Sequence, residues 1–497
     1  MGSSAEEPKI KHIAVDRSQL YWEAVDLDAL IEQHHPARTI WQLTEKFDLS
    51  GFEAQCKSHE GEVGRPRWSA QLLVSVWVYG YSMGVASARA IARMMSHEPG
   101  FRWLAGDQEI NYHTVADFRV GHEEALKELF AQMLTLLEAA GLVDLKTLLQ
   151  DGTKVKSVAG RASLHRRKTV EKRLREARRA VRKLDTAAVA DDAMDERRRA
   201  AHERAAREGL QRAEAALAKL KKLEAAAKPK ERDQQRVSVS EPGARKMKHP
   251  DGGWAPSYNV QVTTEAQSRM IVAISASSDA NDMHQLMPAL EQVKENCGKL
   301  PERLIADNGY ATRSNVEQST EQEVELIAPW KDDTSREAGA CARNSIAPAY
   351  APSAFRPQRG GKKLTCPAGK TLVMVQQKAN HGLPHNVFEA AAADCQHCHH
   401  QQQCCGQQGA PRQVSRVAES AAMKQYQRRM KQPEVKQLYG KRSEVAEFPH
   451  MWAKAVKGWR RFSVRGVVKA GIEATWVALA YNVTQWMRVR QSEATAA

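Results

Sequence analysis

The chain has 497 residues, more than one compact core ordinarily holds, which implies two or three structural units. Seventy-four Lys and Arg against 59 Asp and Glu leave a formal net charge of +15. That excess suits a polyanionic partner, whose condensed counterions are released on contact, and it equally fits a soluble protein with a basic surface. No run approaches the roughly 18 apolar residues of a bilayer span, residues 1–8 are polar and acidic with no apolar segment after them, and eight cysteines in so long a chain make no disulfide scaffold. A membrane span and a secreted disulfide-rich fold are therefore not expected; the cytosol is.

Residues 20–145 read as mostly helical. Ser69 opens an apolar stretch carrying Leu72, Leu73, Val76, Tyr79 and Tyr81, the pattern of an N-capped helix. A short helix is expected from about Ser87 to Met95, and a longer one from near Thr114 through Leu126, Leu129, Met133, Leu136 and Leu137 to a stop at Gly141. Short helices after the turn Gly61-Glu62-Val63-Gly64-Arg65-Pro66-Arg67 suit a DNA-binding bundle of the helix-turn-helix kind, and equally an ordinary helical scaffold.

A strand is expected at Leu148-Leu149-Gln150-Asp151. The composition then shifts to Arg, Lys, Glu and Ala, with Val170, Leu174, Ala177, Val181 and Leu184, then Ala206, Leu210, Ala213, Leu217 and Leu220, at alternating steps of four and three. Two such helices joined at the acidic break Asp191-Asp192-Ala193-Met194-Asp195 predict an antiparallel coiled-coil hairpin. Its charged face is ordinarily just solvated, and Arg166, Arg167 and Lys168 near its base are the candidates for phosphate contact. After Gly243 the pattern turns to α/β, with strands at 258–264, 270–274, 303–307 and 324–328 and a helix carrying Met283, Leu286, Met287, Leu290 and Val293. Residues 331–415 read as irregular and rich in Gln, Gly, His and Cys; two helices are expected at about 443–456 and 466–488.

Asp151 and Asp307 each end an apolar strand and precede a Gly-containing turn. Two carboxylates brought together in this way suit hard divalent cations, which take oxygen ligands and promote phosphoryl transfer. Taken singly, each is also an ordinary turn former at a strand end.

The blocks Gln150-Asp151-Gly152-Thr153-Lys154-Val155, Tyr258-Asn259-Val260-Gln261 and Ala306-Asp307-Asn308-Gly309-Tyr310 resemble those of bacterial insertion-sequence transposases with an RNase H-like DDE domain. The stretch from Arg442 through Glu447, Phe448, Pro449, His450 and Lys454 to Arg465-Gly466 resembles their glutamate helix, and Tyr481-Asn482 the Asn that follows. Gly64-Arg65-Pro66, Tyr79-Gly80-Tyr81, Phe101-Arg102-Trp103-Leu104 and His113-Thr114-Val115-Ala116-Asp117-Phe118-Arg119 are similar to the family's leading helical domain, so the resemblance spans nearly the whole chain. Related transposases carry Tyr-x2-Arg-x3-Glu-x6-Lys around the third acid. Tyr439, Arg442, Glu447 and Lys454 match it with one extra residue in the middle, which favours Glu447 over Glu444 and Glu473. His450-Met451 stand where the family often has Phe-Gly.

The resemblance implies an α/β fold: an RNase H-like core over 146–490 behind a helical DNA-binding domain over 1–145, interrupted by a coiled-coil hairpin at 161–235 and a Cys-rich insertion at 335–415. Asp151 would lie on the first strand, Asp307 after the fourth, and Glu447 on a helix crossing the sheet, together holding Mg2+ (or Mn2+); Arg442 and Lys454 would bind DNA phosphates beside them. Cys366, Cys395, Cys398 and Cys404 are candidate ligands of structural Zn2+, with Cys405 or a nearby histidine as substitutes. Gly369 stands where a zinc ribbon has the second Cys of its first pair, and plain reduced thiols fit as well. Cys56, Cys297 and Cys341 read as packing residues. The function implied is a cytoplasmic, nucleoid-associated transposase acting on double-stranded DNA, both terminal inverted repeats and target, as a homodimer in the complex. Its rivals are a catalytically silent DNA-binding regulator and an RNase H-fold nuclease without strand transfer.

Overall fold

The computed structural model describes residues 18, 24–54, 66–187, 196–330, 334–380, 382–406 and 410–496. The acidic break at 191–195, residues 61–65 of the expected turn and Cys56 lie outside them. The first third is helical: α1 (Pro36–Thr44), α2 (Ser50–Glu53), α3 (Ala70–Ser82), α4 (Ala88–Met94), α5 (Pro99–Ala105), α6 (Tyr112–Gly121) and α7 (Glu123–Ala139). Side-chain caps start several of them: Ser69 Oγ accepts from Leu72 N and Ser87 Oγ from Ala90 N. The single long helix expected from Thr114 is two, because His122 leaves helical geometry (φ −132°, ψ 57°) and its imidazole folds back to within 3.1 Å of the Phe118 carbonyl. Gly141, at φ +71°, ends α7 as expected, in the left-handed conformation that only glycine adopts without strain.

Strand β1 (Thr147–Lys156) leads into the hairpin, which is rooted by the short pair β2 (Leu164–His165) and β3 (Val237–Ser238). The hairpin itself is α8 (Arg167–Ala187) and α9 (Glu196–Ala226). Val170, Ala216 and Leu220 are fully buried in its seam near the base. Ion pairs across the seam set the antiparallel register: Arg167 with Glu224, Arg178 with Glu214, and Arg207 with Asp185.

Strands β4 (Arg245–Lys248), β5 (Trp254–Glu265), β6 (Ile271–Ser277), β7 (Arg303–Ala306) and β8 (Glu325–Ile327) complete a six-stranded sheet with β1. Its order is β4-β5-β1-β7-β8, with β6 also on β5. Strand β5 is antiparallel to β1, β4 and β6, while β7 is parallel to β1 and β8 to β7. Leu304, Ile305, Ala306, Leu326 and Ile327 are all buried, as expected of parallel strands covered on both faces. Helices α10 (Leu286–Cys297) and α11 (Arg313–Glu321) connect the later strands.

Residues 331–415, expected to be irregular, carry a second sheet. After α12 (Thr334–Arg343) come β9 (Arg356–Pro357), β10 (Lys363–Thr365), β11 (Thr371–Asn380), β12 (Leu383–Ala390) and, beyond the short helices α13 (Ala392–Gln396) and α14 (Gln401–Cys405), β13 (Gln413–Val417). The strands pair in sequence order, all antiparallel, over a small core of Phe355, Leu364, Leu372, Phe388 and Val414. Val373 and Val375 are exposed on its outer side, and the rest of β11 beyond them is Gln, Gln, Lys, Ala and Asn, so the strand pattern breaks off after a few residues.

Helices α15 (Ala421–Arg429), α16 (Pro433–Gly440), α17 (Arg442–Met451) and α18 (Val467–Ala496) end the fold. Pro449 lies inside α17, and a π-type turn, Trp452–Val456, continues it. One apolar core runs without a break from the N-terminal helices through the sheet to α18. Where α6 meets α18, Arg119 donates to Ser463 Oγ (2.7 Å) and stands 4.0 Å from the fully buried Glu473, which accepts from Trp459 Nε1 and from Ser463. Asn482, also fully buried, clasps both backbone groups of Ile271 through its side-chain amide, pinning α18 to β6. No described helix is long and apolar enough to cross a membrane.

Candidate active site

Strand β1 runs on past Asp151 to Lys156, so Asp151 sits in mid-strand and not at a strand mouth. Its register with β7 ends at Gln150 opposite Ala306. Asp151 is therefore the next residue of β1, and Asp307 the first residue beyond β7, on two parallel strands whose backbones run about 4.8 Å apart. Strand alternation sends Leu149, Asp151 and Thr153 to the face covered by α16, α17 and the π-type turn; Leu149 packs there with Ala446 and Val435.

Arg442 Nη2 donates to Asp151 Oδ1 at 2.8 Å, and His450 Nε2 stands 3.4 Å from Asp151 Oδ2. Burial pushes the Asp151 carboxyl up, but the His450 and Arg442 side chains beside it outweigh burial and hold it below its ordinary value. Asp307 goes the other way. Burial raises it, Asp151 and Asp282 nearby add to the rise, and the Gly309 N–H (2.7 Å) and Arg442 only partly oppose it. Lys454, carried on the π-type turn, donates to Thr153 Oγ1 (2.5 Å) and to the Lys154 carbonyl (2.9 Å). Burial, and then the Arg460 charge, bring its amine down to about 8.

Asp282, in the β6–α10 connection, is the acid that sequence reasoning missed. Its Oδ1 accepts from Asn259 Nδ2 and Gln261 Nε2, both at 2.7 Å. Those amides belong to a buried polar layer on the face of β1 and β5 opposite Asp151: Thr263 and Gln150, Gln150 and Gln261, and Gln261 and the Tyr310 hydroxyl are hydrogen-bonded in turn. Gly152 is glycine for this reason, since a Cβ there would come within 2.4 Å of Asp282 Oδ1. The signal was present in the amides at 259 and 261, which need an acceptor on a buried face.

Glu447 is exposed on α17. At about 100° per residue it lies roughly 100° around the helix from Ala446, which faces Leu149, and Glu444 lies farther round still. Glu473 is remote from these acids in role, since its carboxylate is consumed by Trp459 and Ser463. At the hairpin base Arg166 and Lys168 are exposed, while Arg167 is committed to Glu224 and Glu171.

The crowded Asp151 and Asp307 carboxylates fit a hard cation by donor chemistry, since a cation would relieve their mutual repulsion. Cys366, Cys395, Cys398, Cys404 and Cys405, with His400, line one cavity beneath the second sheet, and burial raises the Cys404 and Cys405 thiols. These are soft donors suited to zinc. As the side chains stand, no group of three or more His, Cys, Asp or Glu among the described residues is arranged to hold a metal ion.

Two segments of the chain match family models: residues 25–121 a transposase domain (DUF772), and residues 365–487 a transposase DDE domain. The chain is an insertion-sequence DDE transposase. Comparisons with curated proteins and with solved structures find no match. In this transposase the DDE match takes in the cysteine cavity, Arg442, Glu447 and Lys454. Asp151 and Asp307 fall between the two matched segments, and the fold draws Asp151 to Arg442 of α17. DDE transposases act on DNA and generally use divalent metal ions such as Mg2+.

Proposed function

We propose that the six-stranded sheet is an RNase H-like core in which Asp151, Asp307 and Glu447 hold Mg2+ (or Mn2+), and that this transposase cleaves DNA at the terminal inverted repeats of its element and joins the freed 3′ end to target DNA. The observation that carries the reading is the pair Asp151–Asp307, each one step past the last paired residues of the adjacent parallel strands β1 and β7, each carboxylate altered by its neighbours. The bound cation would supply Lewis acidity to the attacking and leaving oxygens. The chain's own residues do the positioning. Arg442 balances Asp151 in the absence of DNA, and its Nε, buried without a partner, retains a donor for a phosphate. Lys454 presents an amine beside the same strand. The polar layer of Gln150 and Gln261 holds Asp282 and, through the Tyr310 hydroxyl, the turn that follows Asp307.

Glu447 is tested against Glu444 by substituting each with Gln and measuring strand cleavage in Mg2+. Loss in Glu447→Gln with activity kept in Glu444→Gln supports the assignment, and the reverse pattern overturns it. Cys366, Cys395, Cys398 and Cys404 are proposed to bind one structural Zn2+ per chain; protein purified without chelator and found free of zinc would refute that. Contact with double-stranded DNA is assigned to Arg442, Lys454, Arg166 and Lys168, with sequence preference residing in the helical domain over 1–145 and a homodimer in the complex.

A further inference from the structure

The two helices of the coiled-coil hairpin present unlike faces to solvent. On α8 the positions opposite the Val170–Leu174 seam are Lys168, Lys172, Arg175, Arg179 and Lys183, all exposed. Of these only Lys172 has a carboxylate within reach among the described residues, Glu176 at 3.9 Å. The corresponding face of α9 is mixed: Arg204, Arg207, Glu208, Gln211, Ala215, Ala218 and Lys222, with Arg207 and Arg212 paired to Glu203 and Glu208 one turn back. A solvated helix ordinarily mixes signs in the manner of α9, because like charges three and four apart repel and weaken the helix. The stripe on α8 carries that repulsion along its whole length.

We propose that the outer face of α8 is a sequence-independent docking surface for duplex DNA, holding the substrate by its phosphates. From Lys168 to Lys183 is about 22 Å at 1.5 Å per residue, a length over which a duplex carries on the order of a dozen phosphates. The surface is held in place relative to the acids: the hairpin springs from the end of β1, its root is clamped by β2 and β3, and Glu241 ties it to the sheet through Ala159 N and the Tyr258 hydroxyl. A duplex lying along α8 is thus held at a fixed offset from Asp151. The surface rests on the reading of the protein as one that handles DNA, and it adds a contact area that no family match covers.

The test uses full-length protein with Lys168, Arg175, Arg179 and Lys183 all changed to Gln, compared with a control carrying Arg204→Gln and Lys222→Gln on α9. Affinity for a terminal-repeat duplex and for a scrambled duplex is measured over a range of salt. The α8 variant should lose about 3 to 4 from the log–log slope on both duplexes alike, at about 0.9 per contact, while the control keeps the wild-type slope. A double variant, Arg175→Gln with Arg179→Gln, should lose about half as much, which keeps the test valid if the fourfold change perturbs folding. An unchanged slope in both α8 variants overturns the proposal, as does a change in oligomeric state by sedimentation with DNA binding intact, which would make the face a protein contact. Failure of the wild type to bind any duplex would instead overturn the DNA-handling reading itself.

Discussion

Asp151 within β1 and Asp307 just beyond the neighbouring β7 are pushed in opposite directions, Asp151 down by His450 and Arg442 against burial, Asp307 up by burial and by its acidic neighbours. As pH falls, Asp307 is therefore the first of the pair to protonate. Lys454 gives a second pH dependence of opposite charge. Its amine is cationic below about 8 and neutral above, so any phosphate contact it makes weakens as pH rises through that value. Salt titrations of DNA affinity should lose about one from the wild-type slope between pH 7 and pH 9.5, and Lys454→Met should have the reduced slope at both; a wild-type slope independent of pH would remove Lys454 from the phosphate contacts. Asp282→Asn breaks none of the direct contacts to Asp151, so activity should fall by about 10- to 100-fold, the scale of a lost outer partner, with a raised Mg2+ requirement. Full activity at low Mg2+ would make Asp282 irrelevant to the site.

At the scale of elements, β1 is the piece on which the site turns. One of its faces carries Leu149, Asp151 and Thr153 to α17 and the π-type turn, and the other carries Gln150 and Gly152 to the polar layer. Gly152→Ala would drive a methyl group into a carboxylate pinned by two amides, at an expected cost of about 1–3 kcal/mol, measurable by denaturant unfolding; a neutral substitution would mean that the Asp282 loop moves freely. The strand blocks around Asp151, Asn259 and Asp307 were legible because each joins an apolar run to a polar residue that cannot be there for packing. Asp282 was not, since it acts from a loop and its partners, Asn259 and Gln261, lie more than twenty residues earlier on β5. The hairpin was legible from its heptads alone. The second sheet was not, because most of its side chains are polar and exposed, and the break at His122 hid within an unbroken apolar period.

At the scale of the molecule, the N-terminal helices share one core with the sheet and α18, so no gap in packing falls at the 1–145 boundary that the resemblance implied. Arg119 and Glu473 sit at that joint, buried and hydrogen-bonded to Tyr81, Ala86, Trp459 and Ser463. Arg119→Ala would strand the Glu473 carboxylate and cost about 3–5 kcal/mol, read as a lower urea midpoint; a change below about 1 kcal/mol would show that the joint is held by apolar contact alone. The same continuity makes the N-terminal bundle, the sheet that carries Asp151 and α18 one packed body. The central expectation is that Asp151 and Asp307 act together. It is tested most directly by following Mg2+-dependent cleavage of an end-labelled duplex carrying the terminal repeat, with the affinity for that duplex measured in parallel, for wild type, Asp151→Asn and Asp307→Asn. Each variant should lose far more than the roughly 100-fold expected of an outer partner while binding the duplex within a few-fold of wild type. Substantial cleavage by either variant, or loss of binding in step with loss of cleavage, would contradict it.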